Sequence, residues 1–201
     1  MSEILLIRHA EYAAPGQVLL GRDDGVGLSE AGQAQAAALA MRLAKEPIVS
    51  IESSPRLRCV ETAAPLAEAF DLPLLIEPAL EEIDFGAWTR QSFESLARNA
   101  GWSSWNKRRG WTRPPGGESM AEAQGRIVQH MERAARRDPD GIIVMITHAE
   151  LIRAALLHHR RQALEAWSTI DVAACEIFRL KVEASEMFEP RPQVTRLGAI
   201  T

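Results

Sequence analysis

The stretch Ile4-Leu5-Leu6-Ile7-Arg8-His9-Ala10-Glu11 decides how this chain is read. Four consecutive apolar residues predict a buried strand, and the run stops abruptly at an arginine and a histidine. An imidazole at the carboxyl end of such a strand, beside a permanent cation, is well placed to attack a phosphate group. Arg-His pairs are common by chance, so the weight falls on the segments that follow.

Working outward, Glu11 to Gly27 is rich in Gly, Pro and Asp and predicts a long loop, a length that is often functional in a compact domain. Ser29 suits the N-cap of a helix to Lys45, with Ala36, Leu39, Ala40 and Leu43 on one face and Pro47 as its stop. Ile48 to Ile51 predicts a short strand. Ser54 then fits an N-cap and Pro55 the first position of a helix reaching Phe70, kinked or broken at Pro65. Leu72 to Ile76 is a further strand candidate. Helices are expected from Ser92 to Ala100 and from Ser119 to Arg137. Ile142 to Ile146 is the clearest buried strand, and His148 stands at its carboxyl end as His9 does at the first. A helix from Glu150 to His158 and strands at Glu176–Val182 and Val194–Leu197 complete the pattern. Strands alternating with helices predict an α/β fold, a three-layer α/β/α sandwich with a mostly parallel central sheet. Ligands of such sheets bind beyond the carboxyl ends of the strands, where both histidines fall.

At 201 residues the chain suits one domain with its own core, 1–201, and has the 46% hydrophobic and 25% charged composition of an ordinary globular protein. A net charge of −4 and the lack of a basic stripe argue against nucleic acid as the main partner. A local arginine cluster still allows a small anion. Cys59 and Cys175 lie far apart without metal-ligand spacing, which suits free thiols in a reducing, cytoplasmic setting. No run approaches the roughly 20 apolar residues of a membrane span.

Four separated segments carry the chemistry: Arg8-His9; Ser54-Pro55-Arg56-Leu57-Arg58; Glu81-Glu82-Ile83-Asp84-Phe85-Gly86; and Thr147-His148-Ala149-Glu150. Together with Pro115-Gly116-Gly117-Glu118-Ser119, and in this order, they resemble the histidine phosphatase superfamily, which includes cofactor-dependent phosphoglycerate mutases and α-ribazole phosphatases. The resemblance covers nearly the whole chain. It implies the sandwich fold with a small helical cap over the site, here a segment at 86–117. It also implies a metal-independent phosphomonoester hydrolase needing no cofactor.

His9 is then the candidate nucleophile, since a neutral imidazole has a free lone pair and can carry the phosphoryl group between two easier displacements. Arg8 and Arg58 are candidates to grip phosphoryl oxygens, because guanidinium forks match that geometry and remain charged. Arg58 would also sit in a first helical turn, which favours an anion. The family register selects Glu82 over its neighbour Glu81 as general acid and base. It gives His148 a hydrogen bond to the phosphoryl group, and Ala149 a backbone N–H towards it. The chain departs from the family pattern at Ala10, at Arg56, and at Ala149 and Glu150, where two glycines are usual. Glu150 could repel phosphate, bind a cationic part of the substrate, or cap the following helix; capping suits an acid in a first turn. Tyr12 and Pro15 replace the threonine and asparagine of the mutase pattern, which favours hydrolysis over phosphotransfer.

Arg22 and Arg113 are candidate substrate contacts. Trp102, Trp105 and Trp111, interleaved with Lys107, Arg108, Arg109 and Arg113, read either as a cap that selects the leaving group or as an aromatic helix packed on the body. His158 and His159 point away from each other on a helix and read as surface. A zinc site built from His9, His148 and Glu82 is disfavoured by the arginines beside them. The expected ligand is a small phosphomonoester, with phosphoglycerate mutase-type transfer or non-catalytic phospho-ligand binding as alternatives. No nucleic acid or membrane partner is expected, and a homodimer is left open.

Overall fold

A computed structural model describes residues 2–13, 18–182, 194–196 and 198. The opening run forms β1 (Ser2–Arg8), and Ile142–Thr147 forms β4, its parallel neighbour. The apolar run is unbroken because both faces of the sheet are covered. Ile4 and Leu6 join a core that includes Ile127 and Met131, whereas Leu5 and Ile7 join a second core that includes Leu39 and Leu66.

The helices supplying these layers have identifiable starts and faces. Helix α1 (Glu30–Leu43) begins at Ser29, whose hydroxyl accepts from the Gly32 amide, and buries Ala36, Leu39, Ala40 and Leu43 as the periodicity predicts. With α2 (Leu57–Phe70) it covers one face. Helix α5 (Met120–Arg137) starts in a capping box between Ser119 and Glu122, and with α6 (Ala149–His159) it covers the other.

The remaining strands are β2 (Ile48–Ser53), β3 (Leu74–Ile76), β5 (Ile177–Val182) and β6 (Val194–Arg196). The six described strands run in the order β3-β2-β4-β1-β5-β6. Pairings among β1 to β4 are parallel, and β5 and β6 extend the sheet antiparallel. The mostly parallel three-layer α/β architecture read from the sequence is therefore the one observed.

Local expectations needed correction in two places. Helix α2 starts at Leu57, with Arg56 as N-cap, and not at Pro55. The Ser54 hydroxyl, expected to cap it, reaches only the Arg56 amide at 3.4 Å and lies closer to His148 at 2.9 Å. The helix also runs through Pro65 without a break; a proline there forfeits one ladder hydrogen bond, and the buried Cys59, Thr62, Ala63 and Leu66 hold the helix against the sheet. The second correction lies between Ser92 and Lys107. The helix expected from Ser92 to Ala100 is the shorter α3 (Phe93–Ala97), capped by Ser92, and a second helix, α4 (Ala100–Lys107), starts at the expected end with Asn99 as its cap. Asn99 reads equally well as an interior polar residue, so the sequence did not mark it as the start of a new helix. Pro15, Leu197 and the rest of the loop at 14–17 lie outside the described residues.

Candidate active site

Strand β1 delivers His9 directly. Its amide donates to the Thr147 carbonyl at 3.0 Å, extending the β1–β4 ladder by one residue. Its Nδ1 lies 2.7 Å from the Ala10 carbonyl oxygen, which can only accept, so Nδ1 carries the proton and Nε2 keeps the lone pair. Burial first, then the charges of Arg58 and Arg8, hold the imidazole well below its ordinary pKa, and it is neutral at pH 7. The turn behind it is fixed by Thr62, whose hydroxyl accepts from the Ala10 amide at 2.9 Å and donates to the Arg58 carbonyl at 2.7 Å.

Arg58 lies in the first turn of α2 and is buried. Its Nη2 donates to the Gly21 carbonyl at 2.8 Å and to Nδ1 of His148 at 3.1 Å. Arg8 donates through Nη1 to the Val172 carbonyl at 2.7 Å, while its buried Nε finds no hydrogen-bond partner among the described residues. A buried donor without an acceptor is costly unless a ligand supplies one.

His148 is the N-cap residue of α6 and is fully buried. Its ring lies 5.2 Å from that of His9, centroid to centroid. Because Nδ1 accepts from Arg58, Nε2 carries the proton and donates to the Ser54 hydroxyl at 2.9 Å. The sequence reading placed this ring against the phosphoryl group; here both nitrogens are engaged by protein, and the ring stands behind Arg58.

Glu82 and Glu81 diverge as an extended segment requires. Glu81 pairs with Arg56 at 2.5 Å and Arg22 at 3.3 Å, while Glu82 turns into the cavity. Glu82 is held from behind: its carbonyl accepts from Arg22 Nε at 2.8 Å and Arg126 Nη2 at 3.2 Å. The segment is pinned further by Gly86 (φ +51°) and Gly117. A Cβ on either would come within 2.2 Å of a carbonyl oxygen, of Pro115 and Asp84 respectively, so only glycine lets these chains approach. Burial, reinforced by the charge of Glu150, pushes the Glu82 carboxyl up to about 7 against the opposing Ile83 amide and Arg58.

One cavity of about 320 Å³ lies at these strand ends, and His148 is not among its lining residues. Arg8, His9, Arg58, Glu82 and Ala149 all line it, as read from the sequence. Four arginines and two glutamates are among its lining residues, so it is built for an anion. Arg22 and Arg113 are corrections. Arg22 is spent on Glu118 at 2.9 Å and on the Glu82 carbonyl, and Arg113 on Glu122 at 2.6 Å and the Gly117 carbonyl. Arg56, one of the departures from the family pattern, is mostly buried and paired with Glu81 and Asp24. Among the described residues no cluster of three His, Cys, Asp or Glu is arranged to hold a metal ion.

Sequence reasoning missed part of the wall. Arg109 is buried, with its guanidinium 3.8 Å from the Trp105 ring and 3.5 Å from that of Trp167, and it pairs with Glu150. Arg153 pairs with the same carboxylate at 2.9 Å. Glu150 does occupy the first turn of α6, and it also clamps two cations at the cavity wall. The Trp-rich segment was the available signal for Arg109; nothing in the sequence pointed to Trp167. Within that segment Trp105 is wholly buried and lines the cavity, while Trp111 is 81% exposed. His158 is exposed and His159 is half-buried.

An α/β sandwich whose strand ends converge on a cationic cavity with a neutral histidine defines the class of phosphate-handling α/β enzymes. Comparison with known proteins names the family. The model for the histidine phosphatase superfamily (branch 1) matches residues 4–191, and the chain belongs to that family and is a phosphatase. It is 32% identical over 164 residues to phosphoserine phosphatase 1 of Hydrogenobacter thermophilus, covering 77% of this chain and 74% of the relative. It is 32% identical over 167 residues to a metal-independent phosphoserine phosphatase of Arabidopsis thaliana, covering 78% and 68%. Among solved structures, Bacillus stearothermophilus YhfR superposes with a TM-score of 0.89 over 100% of this chain and 98% of that one, at 18% identity. These relatives do not single out an α-ribazole phosphatase branch.

Proposed function

We propose that the protein is a metal-independent phosphomonoester hydrolase acting on a small phosphorylated metabolite through a phosphohistidine intermediate. The observation that carries this reading is the protonation pattern of two buried groups facing one cavity. His9 is neutral with Nε2 free to attack, and Glu82 holds its proton near neutral pH.

Nε2 of His9 attacks phosphorus in line, forming the N–P bond as the bond to the ester oxygen breaks. The Glu82 proton passes to that oxygen, and the alcohol leaves. Glu82, now a carboxylate, takes a proton from water as the water attacks phosphorus, and phosphate departs from His9. Arg8 and Arg58 balance the charge on the transferring oxygens, and the Ala149 amide at the start of α6 points the same way. His148 holds the Arg58 guanidinium through Nδ1; a direct contact with phosphate requires it to release Arg58 or Ser54. Residues 86–117 act as a cap, since Phe93, Trp102, Trp105 and Arg109 wall the cavity from that side. The free, buried thiols of Cys59 and Cys175 suit a reducing, cytoplasmic compartment, and no described helix is long and apolar enough to cross a membrane.

The test is hydrolysis of p-nitrophenyl phosphate in excess EDTA, wild type against His9→Ala. Turnover that survives EDTA and is lost in the variant supports the reading, as does phosphate trapped on His9 by acid quench. Loss of wild-type activity in EDTA overturns metal independence. Interconversion of phosphoglycerates without phosphate release moves the assignment to a mutase.

A further inference from the structure

The proposed hydrolysis uses only one end of the cavity. Away from the phosphoryl end the wall is apolar, formed by Leu19, Phe85, Phe93, Trp102, Trp105 and Trp167. The rings pack on one another. Trp102 stacks on Trp105 at 5.5 Å, Phe85 meets Trp105 edge-on at 5.4 Å, and Phe93 tilts against Trp102 at 6.5 Å. Trp105 is wholly buried in the core, so the inner surface is rigid, whereas Phe93 is 44% exposed.

The carboxylate at this end is fully claimed, while Arg109 Nε and Trp105 Nε1 remain buried donors without a hydrogen-bond partner among the described residues. Glu150 accepts from both Arg109 and Arg153, Arg109 Nη2 donates to Asn106 Oδ1 at 2.9 Å, and rings lie against Arg109 on two sides. Apart from Glu82, Glu150 is the one carboxylate among the described residues lining the cavity, and two cations already claim it. A substrate ammonium therefore meets no unclaimed negative charge here. The ring faces of Trp105 and Trp167 that could hold a cation are already taken by Arg109, whose charge opposes a second one there. A flat apolar group meets the more exposed Phe93 and Trp102 side chains and makes the ordinary gain of burying apolar surface.

We infer that the leaving group this pocket selects is an alcohol bearing a planar apolar ring, and not the amino-acid alcohol of the phosphoserine phosphatases to which the chain is similar. The inference rests on the phosphatase reading and assigns the specificity to Phe93 and Trp102 on the cap side. A cavity of about 320 Å³ lies within the size range of small-molecule sites, roughly 300–1,000 Å³.

The test compares kcat/KM for 2-phenylethyl phosphate, ethyl phosphate, glycerol 3-phosphate and phosphoserine in excess EDTA. All four release primary alcohols, so differences report binding of the leaving group more than its intrinsic reactivity. The phenylethyl ester is expected to exceed phosphoserine by about 10- to 100-fold. Phe93→Ala, at a half-exposed position outside the core, narrows that ratio several-fold, mainly through KM, and Trp102→Ala narrows it too. Phosphoserine turned over as well as the phenylethyl ester overturns the inference and leaves the phosphatase reading intact. A ratio unmoved in both variants overturns the assignment to this wall. If no ester is turned over and no phosphate is trapped on His9, both readings fall.

Discussion

His130 on α5 and His9 at the end of β1 are both buried imidazoles against the same sheet, and each has a glutamate in its neighbourhood. Around His130 the set is closed. Its Nε2 lies 2.5 Å from Glu52 and its Nδ1 3.5 Å from Glu77, while Arg137 reaches the other Glu52 oxygen at 2.7 Å. Burial alone would raise the Glu52 carboxyl, but the hydrogen bonds from His130 and Arg137 outweigh it and hold it below its ordinary value. Around His9 no side-chain cation among the described residues hydrogen-bonds the Glu82 carboxyl, and the charges of Arg58 and Arg126 are outweighed there by burial. The imidazole is driven down and Glu82 is driven up. The same two residue types make a structural clamp when paired and a proton-transfer site when kept apart.

The contrast is broken most severely at His9. His9→Ala should lower kcat by at least about 10³-fold, because the covalent step has no substitute, with the far-ultraviolet spectrum unchanged. A variant that retains a tenth of wild-type turnover removes His9 from the mechanism. Glu82→Gln comes next, with a loss of about 10²- to 10³-fold in kcat for alkyl esters. The wild-type pH profile tests the same group. As general acid Glu82 must be protonated, so kcat/KM should fall as pH rises through about 7. Glu82→Gln should lack that limb; a limb that persists belongs to another group.

At the closed site the effect moves from rate to stability. His130→Ala leaves Glu52 short of a partner and should cost about 3 kcal/mol in urea unfolding, with kcat/KM nearly unchanged. Since the folded pKa of Glu52 is depressed, its contribution is present above its ordinary value of 4.5 and is lost as pH falls through the lower folded one. His130→Ala should therefore lie closest to wild type in stability at acid pH. A gap that widens on acidification contradicts the clamp. The smallest effect is expected for Glu150→Gln. Removing that charge, and freeing Arg109 and Arg153 from it, should move the alkaline limb of kcat/KM to lower pH by a fraction of a unit.

The two ends of the catalytic cavity were unequally legible. Arg8, His9 and Ala149 were readable because strand ends in a parallel sheet converge by topology, and a buried apolar run announces each strand. Glu82 was separable from Glu81 only through family register; the structure supplies the physical reason, the Arg56 and Arg22 pairs that hold Glu81 away. The far wall depended on tertiary packing. Arg109 and Trp167 are 58 positions apart and meet only because α4 and the stretch after α6 pack together, which no local periodicity records. Arg22 and Arg113 were overread for a related reason, since a basic residue in a loop looks the same whether its partner is a ligand or a nearby carboxylate.

The Thr62 hydroxyl, shared between the Ala10 amide and the Arg58 carbonyl, has a consequence for motion. It joins the turn carrying the nucleophile to the helix carrying the phosphate grip, so the two shift together when the core breathes. The alignment that in-line attack requires thus runs through a single oxygen atom outside the cavity lining.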